Sequence, residues 1–204
     1  MRSKEPPGLK AVSRETEARL ARFVEEILLW SGRLNLVGDL DEARVWDRHV
    51  LDSLQLAPLI DERPGPAIDM GSGAGFPGLV LAIATGRMIH LVEADQRKAA
   101  FLREAARLTQ APVTIHPIRI ESARLPTPAI IMARALAPLP LLLAYAERFA
   151  GPETTCLFLK GAKLQGELTA AENEWHMDYV LHPSITAPDA AILEVREFSR
   201  APAR

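Results

Sequence analysis

The sequence predicts an α/β fold on a mostly parallel sheet, with a C-terminal antiparallel strand and a small N-terminal helical extension. Three observations lead there. From Ala67 onward short apolar runs alternate with segments of helical length and pattern; one run ends in the glycine-rich turn from Asp69 to Gly78; and two further apolar runs close the chain as a hairpin-like pair. Alternation of this kind reads as βαβ units.

Taken in order, Ser13 is placed to cap a helix whose apolar residues Leu20, Phe23, Val24, Ile27 and Leu28 repeat at helical spacing until Gly32. A second helix is expected from Asp39 or Asp41, with Trp46, Val50, Leu54 and Ala57 along one face, until Pro64-Gly-Pro66 breaks it. The sheet region then reads as strands over 67–70, 88–93, 113–118, 129–133 and 155–159, with helices over 77–85, 96–109, 138–149 and 164–175 between and after them. Strands over 178–182 and 192–198 complete it. We expect residues 1–62 to form the extension and 63–204 the main domain, the two packed as one unit.

With 204 residues, 48% of them hydrophobic and 25% charged, the chain can bury one substantial core. No apolar run approaches the roughly 20 residues of a membrane span, and residues 1–7 are polar, without a secretory segment, so a cytoplasmic location is expected. The single cysteine, Cys156, excludes an internal disulfide framework and sits in an apolar run that reads as core. Five histidines lack metal-ligand spacing, so no metal is expected. A net charge of −2 gives no global field attracting a polyanion, which leaves a local basic patch as the route to nucleic acid.

The glycine turn carries most of the chemistry. A strand that ends at Asp69 and turns through Gly71, Gly73 and Gly75 into a helix lets the backbone approach a ligand and offers it helix-terminal N–H groups. Glu93 closes the next strand, where its carboxylate can accept both hydroxyls of a ribose. Gly73-Ala-Gly75-Phe-Pro-Gly78 also satisfies the dinucleotide pattern, so NAD stays open as an alternative. Asp69 favours S-adenosylmethionine (SAM), because a carboxylate there would meet a cationic amino group and repel a pyrophosphate.

Further segments extend the pattern: Asn35-Leu-Val37, Arg48-His-Val-Leu-Asp-Ser-Leu54, Ile68 to Gly78, Arg119-Ile-Glu121, Ala133-Arg-Ala135 and Leu159-Lys-Gly161. In this order they resemble the bacterial 16S ribosomal RNA guanine-N7 methyltransferase family, also called glucose-inhibited division protein B. The resemblance implies a Rossmann-like SAM-dependent methyltransferase sheet. It also implies methyl transfer to N7 of a guanosine in the 530 loop of 16S rRNA, with a small-subunit ribonucleoprotein as the expected partner. By position it assigns Gly71, Gly73 and Phe76 to the methionine and nucleoside portions of SAM, Ile120 and Glu121 to the adenine, and Arg134 to the reaction centre. Glu93 stands where the family has Asp, and Ser31 where Asn commonly follows the Trp.

Guanine N7 holds an exposed lone pair, so its methylation needs positioning and charge stabilisation rather than a general base. On this reading Asp69, Gly71, Gly73, Gly75, Phe76, Glu93, Ile120, Glu121 and Arg134 serve SAM. Arg134 and Lys160, each ending an apolar strand at the ligand-binding edge of the sheet, serve catalysis. Asn35, Arg48, His49, Asp52, Ser53, Arg97 and Lys98 are the candidates for RNA. Plainer readings stand beside these: Arg48 and Asp52 at i and i+4 suit a surface ion pair, and Arg97, Lys98, Arg103 and Arg107 suit the solvated face of a helix. His49, Asp52 and Ser53 share a helical face, but a hydrolase nucleophile belongs on a strained turn beside oxyanion donors, so a hydrolase is rejected. A methyltransferase for a small molecule or a protein is the alternative that the acidic net charge keeps open.

Overall fold

The computed structural model describes residues 12–202, so the expectation of no secretory segment in residues 1–7 lies outside the described residues. Helix α1 (Arg14–Ser31) begins where the Ser13 hydroxyl accepts the Thr16 N–H at 3.1 Å. Its periodic face, Leu20, Phe23, Val24 and Ile27, is fully withdrawn from solvent.

The expected second helix is instead a bent run of short pieces. Asp41 caps α2 (Glu42–Val45), a π-helical turn follows at Trp46–Val50, and α3 (Leu51–Leu54) and α4 (Ala57–Asp61) continue it. The wider turn rotates the face that a regular helix would bury. Val45, Val50 and Leu54 go inside, whereas Trp46 and Ala57 are only half-buried. Such turns are rare and often lie at functional sites.

The sheet holds β1 (Ala67–Met70), β2 (Ile89–Val92), β3 (Val113–His116), β4 (Ile130–Arg134), β5 (Thr155–Lys160), β6 (Trp175–Pro183) and β7 (Ala191–Arg200), in the order β3-β2-β1-β4-β5-β7-β6. Strands β1 to β5 run parallel, and the β6–β7 hairpin joins β5 antiparallel. Helices α5 (Gly78–Thr85) and α6 (Gln96–Thr109) lie with α1 and the bent run on one face; α7 (Leu139–Ala146) and α8 (Leu164–Glu172) cover the other. The chain reverses its direction of travel between β1 and β4, and the crevice at such a switch point is where open α/β sheets bind ligands.

Most elements match the sequence expectation to within a few residues. Helix α8 does not: it stops at Glu172, and Trp175, expected inside it, starts β6 with 1% exposure beneath Phe198 and the Arg200 guanidinium. An aromatic residue after a helical pattern reads as one more turn, yet here it plugs the lower core. Cys156 is buried in β5, and burial pushes its thiol above the usual range.

Phe23 is the contact through which α1 reaches the sheet layer. Its ring lies 5.5 Å from Phe76 of the glycine turn and 6.3 Å from Phe101 of α6. Phe23→Ala should lower stability by about 3–5 kcal/mol, read by urea unfolding, because the removed ring leaves a cavity between α1, α6 and the glycine turn.

Candidate active site

At the end of β1 the chain turns through Gly71, Gly73 and Gly75, with φ of 68°, 55° and 93°. The left-handed backbone at Gly71 favours glycine, and a Cβ there would come within 2.5 Å of Leu136 Cδ1 and make that side chain shift. Asp69 folds back under the turn: its Oδ2 accepts the Gly78 N–H at the start of α5 at 3.0 Å. The side chain is fully buried and Oδ1 has no hydrogen-bond partner among the described residues. Burial pushes its pKa up to about 7, against the opposing pull of the Gly78 N–H. Glu93 crosses from β2 to the same turn, its Oε2 accepting the Gly73 N–H and its Oε1 the Asp95 N–H, both at 2.8 Å.

A cleft of about 400 Å³ opens above this turn. Of the residues singled out for SAM, Gly71, Gly73, Phe76, Glu93, Ile120, Glu121 and Arg134 line it. Two do not. Asp69 stands behind the wall as the support of α5, and Gly75 is buried where a Cβ would sit 3.0 Å from both Phe23 and Leu79. The strand-end position that suggested ligand contact places Asp69 one layer deeper, because its side chain follows the face of β1 that packs on α5. Glu93 also differs from expectation, since both its oxygens already hold backbone N–H groups and each has only its remaining lone pair to offer a ribose.

Beside this cleft lies a second of about 770 Å³, and the two share His49, Arg134, Ala135 and Leu136. Arg134, at the end of β4, lies with its guanidinium 4.9 Å from the centre of the Phe76 ring and donates to the Arg48 carbonyl at 3.1 Å and to Asp52 Oδ2 at 3.3 Å. Burial pulls its pKa below the usual arginine value, with Asp52 and Asp69 opposing. The His49 ring stacks on Phe76 at 4.9 Å, and burial, then the Arg134 and Arg48 charges, lower its pKa to about 4. His49 is therefore neutral at physiological pH.

Asp52 is the joint of the second cleft. Its Oδ1 accepts from Gln55 at 2.7 Å and from the Thr186 hydroxyl at 2.8 Å, while Oδ2 holds Arg134. The expected pair of Arg48 with Asp52 is thus replaced: Asp52 turns inward to Arg134, and Arg48 remains exposed with no ion pair among the described residues. Ser53, a candidate for RNA, is fully buried and donates to the carbonyl of His49 one turn back, so it is part of the helix and not of a surface. That bond also leaves no Ser-His-Asp relay. Lys160 lines the second cleft, but its ammonium is committed to Glu167 and to the Ala137 carbonyl. Lys98 is at the first cleft; Asn35 and Arg97 are exposed outside both linings, Asn35 beside Leu36 and Val37, which do line the first.

Sequence reasoning missed Gln55, Thr186 and Glu167. The loop from Ser184 to Ala190 has no motif and reads as an ordinary turn, and Glu167 reads as one more charge on an amphipathic helix. Ile118 and Tyr145 at the first cleft were missed for the same reason, Tyr145 donating to Glu121 at 3.1 Å.

Among the described residues no helix is long and apolar enough to cross a membrane, and no three His, Cys, Asp or Glu side chains form a group that could hold a metal ion. The family model for rRNA small subunit methyltransferase G matches residues 16–195. The chain belongs to this family. Its relatives named ribosomal RNA small subunit methyltransferase G include that of Granulibacter bethesdensis, 54% identical over 95% of this chain and 91% of that protein. That of Gluconobacter oxydans is 52% identical over 94% of this chain and 99% of its own. Among solved structures, an O-methyltransferase from Bacillus cereus in complex with SAH superposes with a TM-score of 0.59 at 17% identity, over 86% of this chain and 90% of the other, which shows a shared fold. As a member of this family the chain is a methyltransferase that uses SAM as its methyl donor and acts on small-subunit rRNA.

The residues present fit that donor. A glycine cradle that a Cβ would fill and the spare carboxylate lone pairs on Glu93 suit a ligand carrying ribose hydroxyls.

Asp69 and His49 make opposite contributions to the pH dependence of this methyltransferase. Raised to about 7 in the fold, Asp69 keeps a proton that the unfolded chain releases near the ordinary carboxylate pKa, so stability falls as pH rises between about 4 and 7. Lowered to about 4, His49 sheds a proton that the unfolded chain keeps to about 6.5, so stability rises across nearly the same window. The two slopes oppose one another in the wild type. Asp69→Asn should expose a rise in melting temperature from pH 4 to 6.5, and His49→Gln a fall; a scan of melting against pH checks both signs.

Proposed function

We propose that this enzyme transfers the methyl group of SAM to N7 of a guanosine in the 530 loop of 16S rRNA, acting in the cytoplasm on a small-subunit ribonucleoprotein. The observation that carries the reading is the junction of the two clefts, where Arg134, the Phe76 ring and a neutral His49 lie together. One cleft suits the cofactor and the other the extruded base. A loop guanosine can be splayed out at modest cost, since it need not leave a paired stack.

When bound, SAM supplies an electrophilic methyl on a sulfonium. The chain's own part is to hold and to orient. Gly71, Gly73, Glu93, Ile120 and Glu121 would hold the cofactor, and the junction would hold the base edge-on. No side chain has to remove a proton, which agrees with the character of the group at the junction: His49 is neutral and Asp52 is committed to three partners. Arg134 presents guanidinium N–H groups that Asp52 and the Arg48 carbonyl keep fixed, a donor placed to grip O6 or a phosphate beside the reacting nitrogen. Arg48 and Lys98, free of ion pairs among the described residues and set at the rims, would contact backbone phosphates.

Labelled SAM incubated with small subunits and with deproteinised rRNA should yield labelled 7-methylguanosine at a single position on mass-spectrometric mapping. Label that appears only outside RNA would sink the reading. Arg134→Ala should lower kcat by about 100-fold or more while SAM affinity, measured by calorimetry, changes only a few-fold.

A further inference from the structure

We propose that Lys160 and Glu167 together read the Watson–Crick edge of the target guanine, an inference that rests on the second cleft being the seat of the base. Lys160 ends β5 and its ammonium has three N–H donors. One goes to the Ala137 carbonyl at 3.2 Å and one to Glu167 Oε2, which leaves a third. Glu167, in the first turn of α8, accepts with the same Oε2 from the Leu139 N–H at 2.8 Å. Its Oε1 accepts no hydrogen bond among the described residues, and it is not among their fully buried polar atoms.

Both side chains line the second cleft and both are held still, with side-chain exposures of 8% and 21%. The wall therefore presents one fixed N–H donor next to one carboxylate oxygen, Glu167 Oε1, whose two lone pairs can accept N1–H and the 2-amino group together. Guanine offers the matching series: O6 accepts, and N1–H and the 2-amino group donate. Adenine offers a donor and then an acceptor, the reverse order, and uracil ends in an acceptor that the carboxylate would repel. The adjoining Hoogsteen edge of the same guanine carries N7 beside O6, and it would face the junction shared with the cofactor cleft. A nearly buried ion pair is a weak source of stability, and a role in specificity accounts better for its place in a cleft wall.

Inosine tests this directly, because it keeps O6, N1–H and N7 and lacks only the 2-amino group. Single-turnover methylation is measured on small subunits reconstituted with guanosine or inosine at the target nucleotide. The wild type should favour guanosine about tenfold or more. Glu167→Gln should bring the two rates within about twofold of each other with SAM affinity unchanged, and Lys160→Met should slow both substrates alike, since O6 is common to them. A pair that only anchors α8 would lower the melting temperature and leave the guanosine-to-inosine ratio intact, which overturns the proposal. Should Glu167→Gln fail to fold, the wild-type ratio and Lys160→Met decide it. A wild type that methylates RNA at another atom or base overturns this inference together with the reading beneath it, whereas 7-methylguanosine formed without discrimination against inosine overturns this inference alone.

Discussion

Asp52 holds Arg134, and around that contact the two halves of the site are assembled. The carboxylate comes from the bent helical run, the guanidinium from the end of β4, and the hydroxyl that completes the joint comes from the loop before β7. Removing either charge would leave its largely buried partner without a counter-charge, at a cost of about 3–5 kcal/mol. The π turn is what brings Asp52 to this point, since one extra residue in the turn rotates the carboxylate inward and away from Arg48.

The fold was legible because its signals are local. Strand β1 and helix α6 coincide with the sequence expectation residue for residue, the strand leading straight into the glycines and the helix carrying an unbroken amphipathic pattern that Asp95 caps in the structure. The glycine turn was legible as well, because three alternate positions in left-handed backbone favour glycine. The parts of the site that escaped notice are those made by long-range contacts. Asp52 and Thr186 are far apart in the chain and meet through a single hydrogen bond, which no periodicity can announce. Asp69 and Ser53 were misplaced for a related reason: a polar residue on a strand or helix shows its position, but which layer receives its side chain is settled by packing.

On the proposed reading the chemistry needs little from titration. A nucleophile with its lone pair already available asks for a fixed geometry, and the junction would supply stacked rings and a clamped cation in place of a base. The acidic net charge fits the same reading, on which the cations that meet RNA are few and locally placed while charges elsewhere balance the sum.

The Thr186 contact also sets an order on synthesis. Asp52 is made 134 positions before its hydroxyl partner. Until the closing hairpin docks, the bent helix can rest on the sheet through Val50 and Leu54, but Asp52 lacks one of its three fixed bonds. A chain whose closing hairpin has yet to dock thus carries a loosely held version of its own site.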